Sequence, residues 1–189
     1  MDFGIGTILL IILVLVAGYA IFTYNGLVRA RQLVREAWSG IDVQLKRRAD
    51  LIPNLIETVK GYATHERGTF EEVTELRARA QSLPSGDVAA RAQVEGMLSQ
   101  ALGRLLAVAE AYPDLKANQN FMQLQTTLET LEGEIQMSRR YYNGAARDLN
   151  IKVESFPSNV VAGAFRFEKA EYFEIENPQD RVVPKVSFS

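Results

Sequence analysis

The sequence predicts an all-α protein: an N-terminal transmembrane helix continuing into an antiparallel up-down four-helix bundle, followed by a short aromatic C-terminal tail. Three observations predict it. Phe3 to Val28 holds no charged side chain, and its centre reads ILLIILVLVAGYAIF. Beyond Leu27, apolar residues recur every three or four positions, the period of one helix face. The breaks between periodic stretches are short, at Asp50, Pro84–Asp87 and Tyr112–Asp114, and short connections make neighbouring helices antiparallel. The expected boundaries are 1–28 for the anchor, 29–156 for the bundle and 157–189 for the tail.

An uncharged run from Phe3 to Val28 is long enough for a hydrocarbon core of about 30 Å, since a helix rises about 1.5 Å per residue. Its Ile, Leu, Val and Phe side chains each favour insertion by roughly 0.3–0.6 kcal/mol when central, and no buried charge opposes them. Tyr19 and Tyr24 fall near one edge, where an amphipathic ring suits the headgroup layer. A secretory signal would carry a positive N-terminal region and a shorter apolar core; here Asp2 follows Met1. Gly18 and Ala20 make a weak cleavage-site mimic, so an intact anchor is the expectation. Arg29, Arg31 and Arg35 follow the span, opposed nearby by Glu36. The positive-inside rule then places the body in the cytoplasm, with the N-terminus outside.

The rest of the composition is less directive. The chain has 189 residues and no cysteine, which excludes disulfides, thiolate metal sites and a cysteine nucleophile. A net charge of −2 argues against nucleic acid as a partner of the whole.

Helix one is expected to continue on Leu27, Ala30, Val34, Ala37, Trp38, Ile41 and Leu45. It is expected to end at Lys46-Arg47-Arg48, where cations suit a helix C-terminus. Asp50 then reads as the N-cap of helix two, with Pro53 in its first turn. Helix two runs from Ile52 to about Ser82, weakened at Gly61 and Gly68 by roughly 1 kcal/mol each. Helix three runs from Asp87 to Ala111. Helix four steps through Phe121, Leu124, Leu128, Leu131, Ile135, Ser138, Tyr142, Ala145, Leu149, Lys152 and Phe156 as a coiled-coil-like seam that Pro157 ends. That helix is longer than helix three, so part of its seam needs another cover. The tail, with Phe165, Phe167, Tyr172 and Phe173, is too aromatic for disorder. It is expected to fold onto the bundle base or a neighbouring subunit, with short extended pieces at Ala164–Phe167 and Val182–Phe188.

Three blocks carry a family likeness: YNGLVRARQLVREAWSGIDVQLKRRADLIPNLIETVKGYATHE at Tyr24–Glu66, AVAEAYPDLKANQNF at Ala107–Phe121, and YYNGAARDLNIKVESFP at Tyr141–Pro157. In order and spacing they resemble the LemA family of bacterial membrane-anchored proteins along nearly the whole chain. The resemblance implies a transmembrane helix, a short outward N-terminus and a helical-bundle body. It implies no catalytic residue.

Direct chemistry is sparse. A di-iron bundle needs two Glu-x-x-His pairs, and this chain has one histidine, His65, preceded at that spacing by Tyr62. His65-Glu66 reads as a surface pair rather than a metal contact. There is no P-loop, no G-x-G-x-x-G and no nucleophile elbow. No catalytic, cofactor-binding or metal-binding residue is therefore assigned, and no cofactor is expected. Asp42, Asp50 and Glu57 near Arg47 and Arg48 make a polar cluster that capping and solvation explain. Trp38 reads as core. The loop Tyr112–Lys116 is expected at the same far end as Lys46–Asp50, which makes that membrane-distal corner the candidate surface for a protein partner. The expected partners are the bilayer, through residues 3–24, and further copies of the chain. The function expected is a membrane-anchored, self-associating scaffold or interaction protein. An accessory or regulatory subunit of a membrane enzyme or protease complex is the alternative, and a true enzyme comes third.

Overall fold

A computed structural model describes residues 4–63, 65–84 and 86–174. Among the described residues the secondary structure is entirely helical. The elements are α1 (Ile5–Lys60), α2 (Arg67–Ser82), α3 (Val88–Glu110), α4 (Pro113–Lys116), α5 (Gln119–Glu154) and α6 (Ser158–Ala164). They divide into two compact units, one of Met1–Gly40 with Arg140–Glu171, the other of Ile41–Arg139 with Tyr172–Ser189.

The largest departure from expectation lies in α1. It does not stop at Lys46-Arg47-Arg48 but runs unbroken for 56 residues, with Pro53 inside it. A proline has no N–H for the carbonyl four residues back, which leaves Ala49 without its helical partner. The Arg77 Nε on α2 donates to that Ala49 oxygen at 2.7 Å. Because the bond is replaced from outside, the helix continues through the proline. Asp50 is accordingly an exposed mid-helix residue and not an N-cap.

The chain turns instead at Gly61. The Tyr62 and Ala63 amides both donate to the Val59 carbonyl, at 3.0 and 2.9 Å, and α2 begins only at Arg67. The single helix expected from Ile52 to Ser82 is thus two pieces of different helices. The two glycines that weaken that stretch bracket the break rather than being carried through it.

The later elements follow the sequence more closely. Asp87 caps α3, its Oδ1 accepting from the Ala90 amide at 2.9 Å. Pro113 opens the single turn α4, where a missing N–H costs nothing. Asn118 caps α5, accepting from the Phe121 amide at 3.1 Å. In the second unit, Ile52, Leu55 and Val59 of α1 pack with Phe70 and Val73 of α2, Leu98, Leu102 and Leu105 of α3, Leu115 of α4 and Leu128 of α5.

In the first unit α1 and α5 lie antiparallel. Trp38 meets Tyr142 edge-on at 5.5 Å, and the Lys152 Nζ donates to the Gly26 carbonyl at 3.4 Å. Leu27, Ala30 and Leu149 pack there with Val161 and Ala162 of α6 and with Phe167. Lys152 and Phe156, expected on the seam, are exposed. Asn150 fixes the chain after α6 to α5 with two bonds: its amide donates to the Ala170 carbonyl at 2.9 Å and its Oδ1 accepts from the Ala170 amide at 2.7 Å. Ala164, expected to begin an extended piece, closes α6. The piece Val182–Phe188 lies outside the described residues.

Candidate functional site

The chemistry of the second unit concentrates in a charged layer inside its core. Leu27, Val34, Ile41 and Leu55 mark one seven-residue register along α1, and the position between the last two is Arg48. The register puts the guanidinium in the packed seam, and its side chain is 1% exposed. Burying a cation costs several kcal/mol unless opposite charge and hydrogen bonds replace its water. Here α3 and α5 supply both. Arg48 Nη2 donates to Glu95 Oε2 at 2.6 Å, and Nη1 donates to Ser99 Oγ at 2.6 Å and to Glu132 Oε2 at 2.8 Å.

Glu95, itself 3% exposed, is shared. Its other oxygen accepts from Arg91 Nε at 2.8 Å, one helical turn earlier on α3. Arg91 reaches Asp42 of α1 at 3.4 Å, and Lys46 closes the chain of charges on Asp42 at 2.7 Å. Three helices are thus tied by alternating charges: α1 through Asp42 and Arg48, α3 through Arg91 and Glu95, α5 through Glu132. The Arg48 Nε has no hydrogen-bond partner, so the network is saturated at the two terminal nitrogens and not at the third.

Such a layer does not resemble a reaction centre. Each carboxylate is held by a guanidinium or an ammonium, an arginine does not deprotonate, and no histidine or cysteine is present in it. What it can do is discriminate. A slip of one helix relative to another would strand a buried charge, which an all-apolar seam would not penalise.

The structure separates the residues singled out in the sequence. Arg48 is buried whereas its neighbour Arg47 is exposed, within 3.9 Å of Glu134. Of the polar cluster around them, Asp42 belongs to the charged layer, Asp50 is exposed, and Glu57 pairs with Lys60 at 3.2 Å on the surface. Lys46–Asp50 forms no corner, so it does not meet the Tyr112–Lys116 loop there. Pro113–Lys116 is instead the helical turn α4, and two residues beyond it the Asn118 amide donates to the Tyr62 hydroxyl of the Gly61 turn at 3.0 Å. His65 in the same turn is exposed, and no group of metal-binding side chains forms among the described residues. Trp38 is half-buried against Tyr142. A cleft of about 480 Å³ lies on the outer face of α3, between Ala92, Gly96, Met97 and Tyr172. Its titratable lining groups are Tyr172 and Glu174, with no histidine, cysteine or cation beside them, and the lining forms no catalytic constellation. The sequence did carry a signal for the charged layer, namely the seven-residue step through Arg48, which the adjoining Lys46 and Arg47 mask as a surface run.

At the start of α1 an apolar stretch lies fully exposed, the one helix among the described residues long and apolar enough to cross a membrane. An all-helical body behind such a stretch defines a membrane-associated helical protein. The LemA family model matches residues 37–188, and the chain belongs to the LemA family. It is 27% identical to magnetosome protein MamQ 2 of Paramagnetospirillum magneticum over 80% of its own length and 64% of the relative's. It is 29% identical to protein LemA of Metamycoplasma hominis, over 79% of this chain and 69% of that one. With magnetosome protein MamQ of Magnetospirillum gryphiswaldense the identity is 24%, over 79% and 64%. The chain therefore spans less than two thirds of the length of the magnetosome relatives. None of these names describes an enzymatic activity.

Proposed function

We propose that this chain is a single-pass anchored interaction protein, with Phe3–Tyr24 in the bilayer and the body held at the inner face of the bacterial inner membrane. The observation that carries the reading is α1 itself. One uninterrupted helix is apolar and exposed at its start and becomes the packed, charge-bearing helix of the body further on. An element of that kind joins a membrane-spanning stretch to the folded body within one helix. We read the body, residues 29–156, as an antiparallel four-helix bundle of α1, α2, α3 and α5, with 157–189 as a tail packed against it. Self-association is supported by the small residues Ala17 and Gly18 in the span. A protein partner would dock at the end of α1 opposite the span, beside α4, where Asn118 reaches Tyr62 of the Gly61 turn.

Alkaline carbonate extraction of membranes tests the anchor: the full chain should stay in the pellet, and release into the supernatant would remove it. A reporter fused after Ser189 should be active in the cytosol; activity outside would reverse the orientation. The mass of the detergent-extracted particle separates the functional readings. A homo-oligomer supports the scaffold, whereas a stoichiometric unrelated protein supports the accessory-subunit alternative.

A further inference from the structure

We infer that the corner joining α5 to α6 is a second lipid-contacting element, a wedge that enters the interfacial layer of the same bilayer beside the span. The inference rests on the anchored reading above and adds a contact outside the span. From Ser155 to Phe165 the chain carries no charged side chain. Within that stretch Phe156, Val160 and Phe165 are 82%, 63% and 58% exposed. Single exposed apolar residues are ordinary on a soluble surface; three on one uncharged corner call for an occupant.

The antiparallel register of the first unit says which occupant. Tyr142 lies against Trp38 and Lys152 against Gly26, so the end of α5 comes level with Phe22 to Tyr24, the inner edge of the apolar run. Contacts bear this out. Phe165 packs on the Tyr24 ring at 4.8 Å, Phe167 meets the same ring at 5.7 Å, and Ala20 of the span borders the cluster of Leu27, Leu149, Val161 and Ala162. The inward side of the corner is thereby filled from α1 and α5. Its outward side continues the exposed apolar surface of the span, where Phe22 is 72% exposed. A surface continuous with a membrane helix and level with its end meets lipid. The flanking exposed cations Arg29 and Arg166 are placed for headgroup phosphates, as expected where an apolar face sinks about 5–10 Å into the headgroup boundary.

The chain has no cysteine, so single labels can be introduced freely. The full chain is reconstituted in phosphatidylcholine–phosphatidylglycerol vesicles carrying an environment-sensitive fluorophore at V160C, with F22C and Y141C as references. Quenching by lipids spin-labelled near the headgroup is compared with quenching by aqueous iodide. Tyr141 is exposed on α5, about 22 Å along the helix axis from Phe156. The expected result is a loss of fluorescence to the spin-labelled lipids at positions 160 and 22, with loss to iodide alone at 141. Loss to iodide alone at 160, with 22 still quenched by lipid, overturns the wedge and leaves the anchor standing. Protection of 160 from both quenchers means that protein covers the corner, and it overturns the wedge equally. Absence of lipid quenching at 22 removes the anchor and the wedge with it.

Discussion

Arg77 restores the hydrogen bond that Pro53 denies to α1: its Nε reaches the Ala49 carbonyl, four residues before the proline, at 2.7 Å. The two residues are coupled although they lie on different helices. Removing Arg77 leaves a buried carbonyl unpaired, which costs about 1–3 kcal/mol. Arg77→Leu should lower stability by that amount. In a Pro53→Ala background, where residue 53 regains its N–H, the same substitution should cost under about 1 kcal/mol. Denaturant midpoints of the four proteins check the cycle.

The charged layer predicts an asymmetry between breaking it and replacing it. Arg48→Met leaves Glu95 buried with only Arg91 as partner and should cost about 3–5 kcal/mol, the range for one broken buried pair. Glu132→Ala should cost about 1 kcal/mol or less, because that carboxylate is 38% exposed and water screens it. Replacing Arg48, Arg91 and Glu95 together by apolar residues of similar volume should recover most of the loss. Charge reversal at Arg47, which is exposed, should leave thermal unfolding nearly unchanged, whereas reversal at Arg48 should prevent folding.

Tyr142 gives the first unit a pH dependence. Burial, and then repulsion from Glu171, raises its hydroxyl from 10.0 to about 12, while the hydroxyl donates to the Glu171 carbonyl at 2.8 Å. The unfolded chain loses that proton at a lower pH than the folded one. Its contribution is therefore complete below pH 10 and is lost as the pH rises through about 12. Tyr142→Phe should flatten the decline over that window while costing about 1 kcal/mol at neutral pH from the lost hydrogen bond. Urea midpoints between neutral pH and pH 12 read both effects.

Arg166 stands at φ 54°, the left-handed region, at the end of α6. The Phe167 amide donates to the Ala162 carbonyl at 2.9 Å and the Arg166 amide to Gly163 at 3.3 Å, the pairing of a Schellman cap, whose left-handed position normally holds glycine. Arg166→Gly should stabilise the fold by about 1 kcal/mol, and Arg166→Val should destabilise it. Thermal unfolding of the two variants has opposite expected signs.

How much of this was legible in the sequence depends on what each residue signals locally. The apolar start of α1, the α3 limits and the stop at Pro157 were readable because turn signals, prolines and long periodic runs act locally. The path of α1 through Lys46–Pro53 was not. Three cations, an aspartate and a proline each favour a helix end by themselves, and two non-local partners override them: Arg77 on the Ala49 carbonyl, and Glu95 with Glu132 on Arg48. The same blindness hid the charged layer, because Arg47 and Arg48 differ only in their place on the seam. The turn at Gly61 was half legible, as a weakness rather than a break.

The continuity of α1 past its charged residues is the claim on which the rest depends. Pulsed electron-spin distance measurement between labels at Gln44 and Glu57 of the full chain tests it directly. A continuous helix places their backbones about 20 Å apart, at about 1.5 Å per residue, with a narrow distribution. A corner at Lys46–Asp50 would fold the two positions onto adjacent helices about 10 Å apart, and that distance would contradict the account.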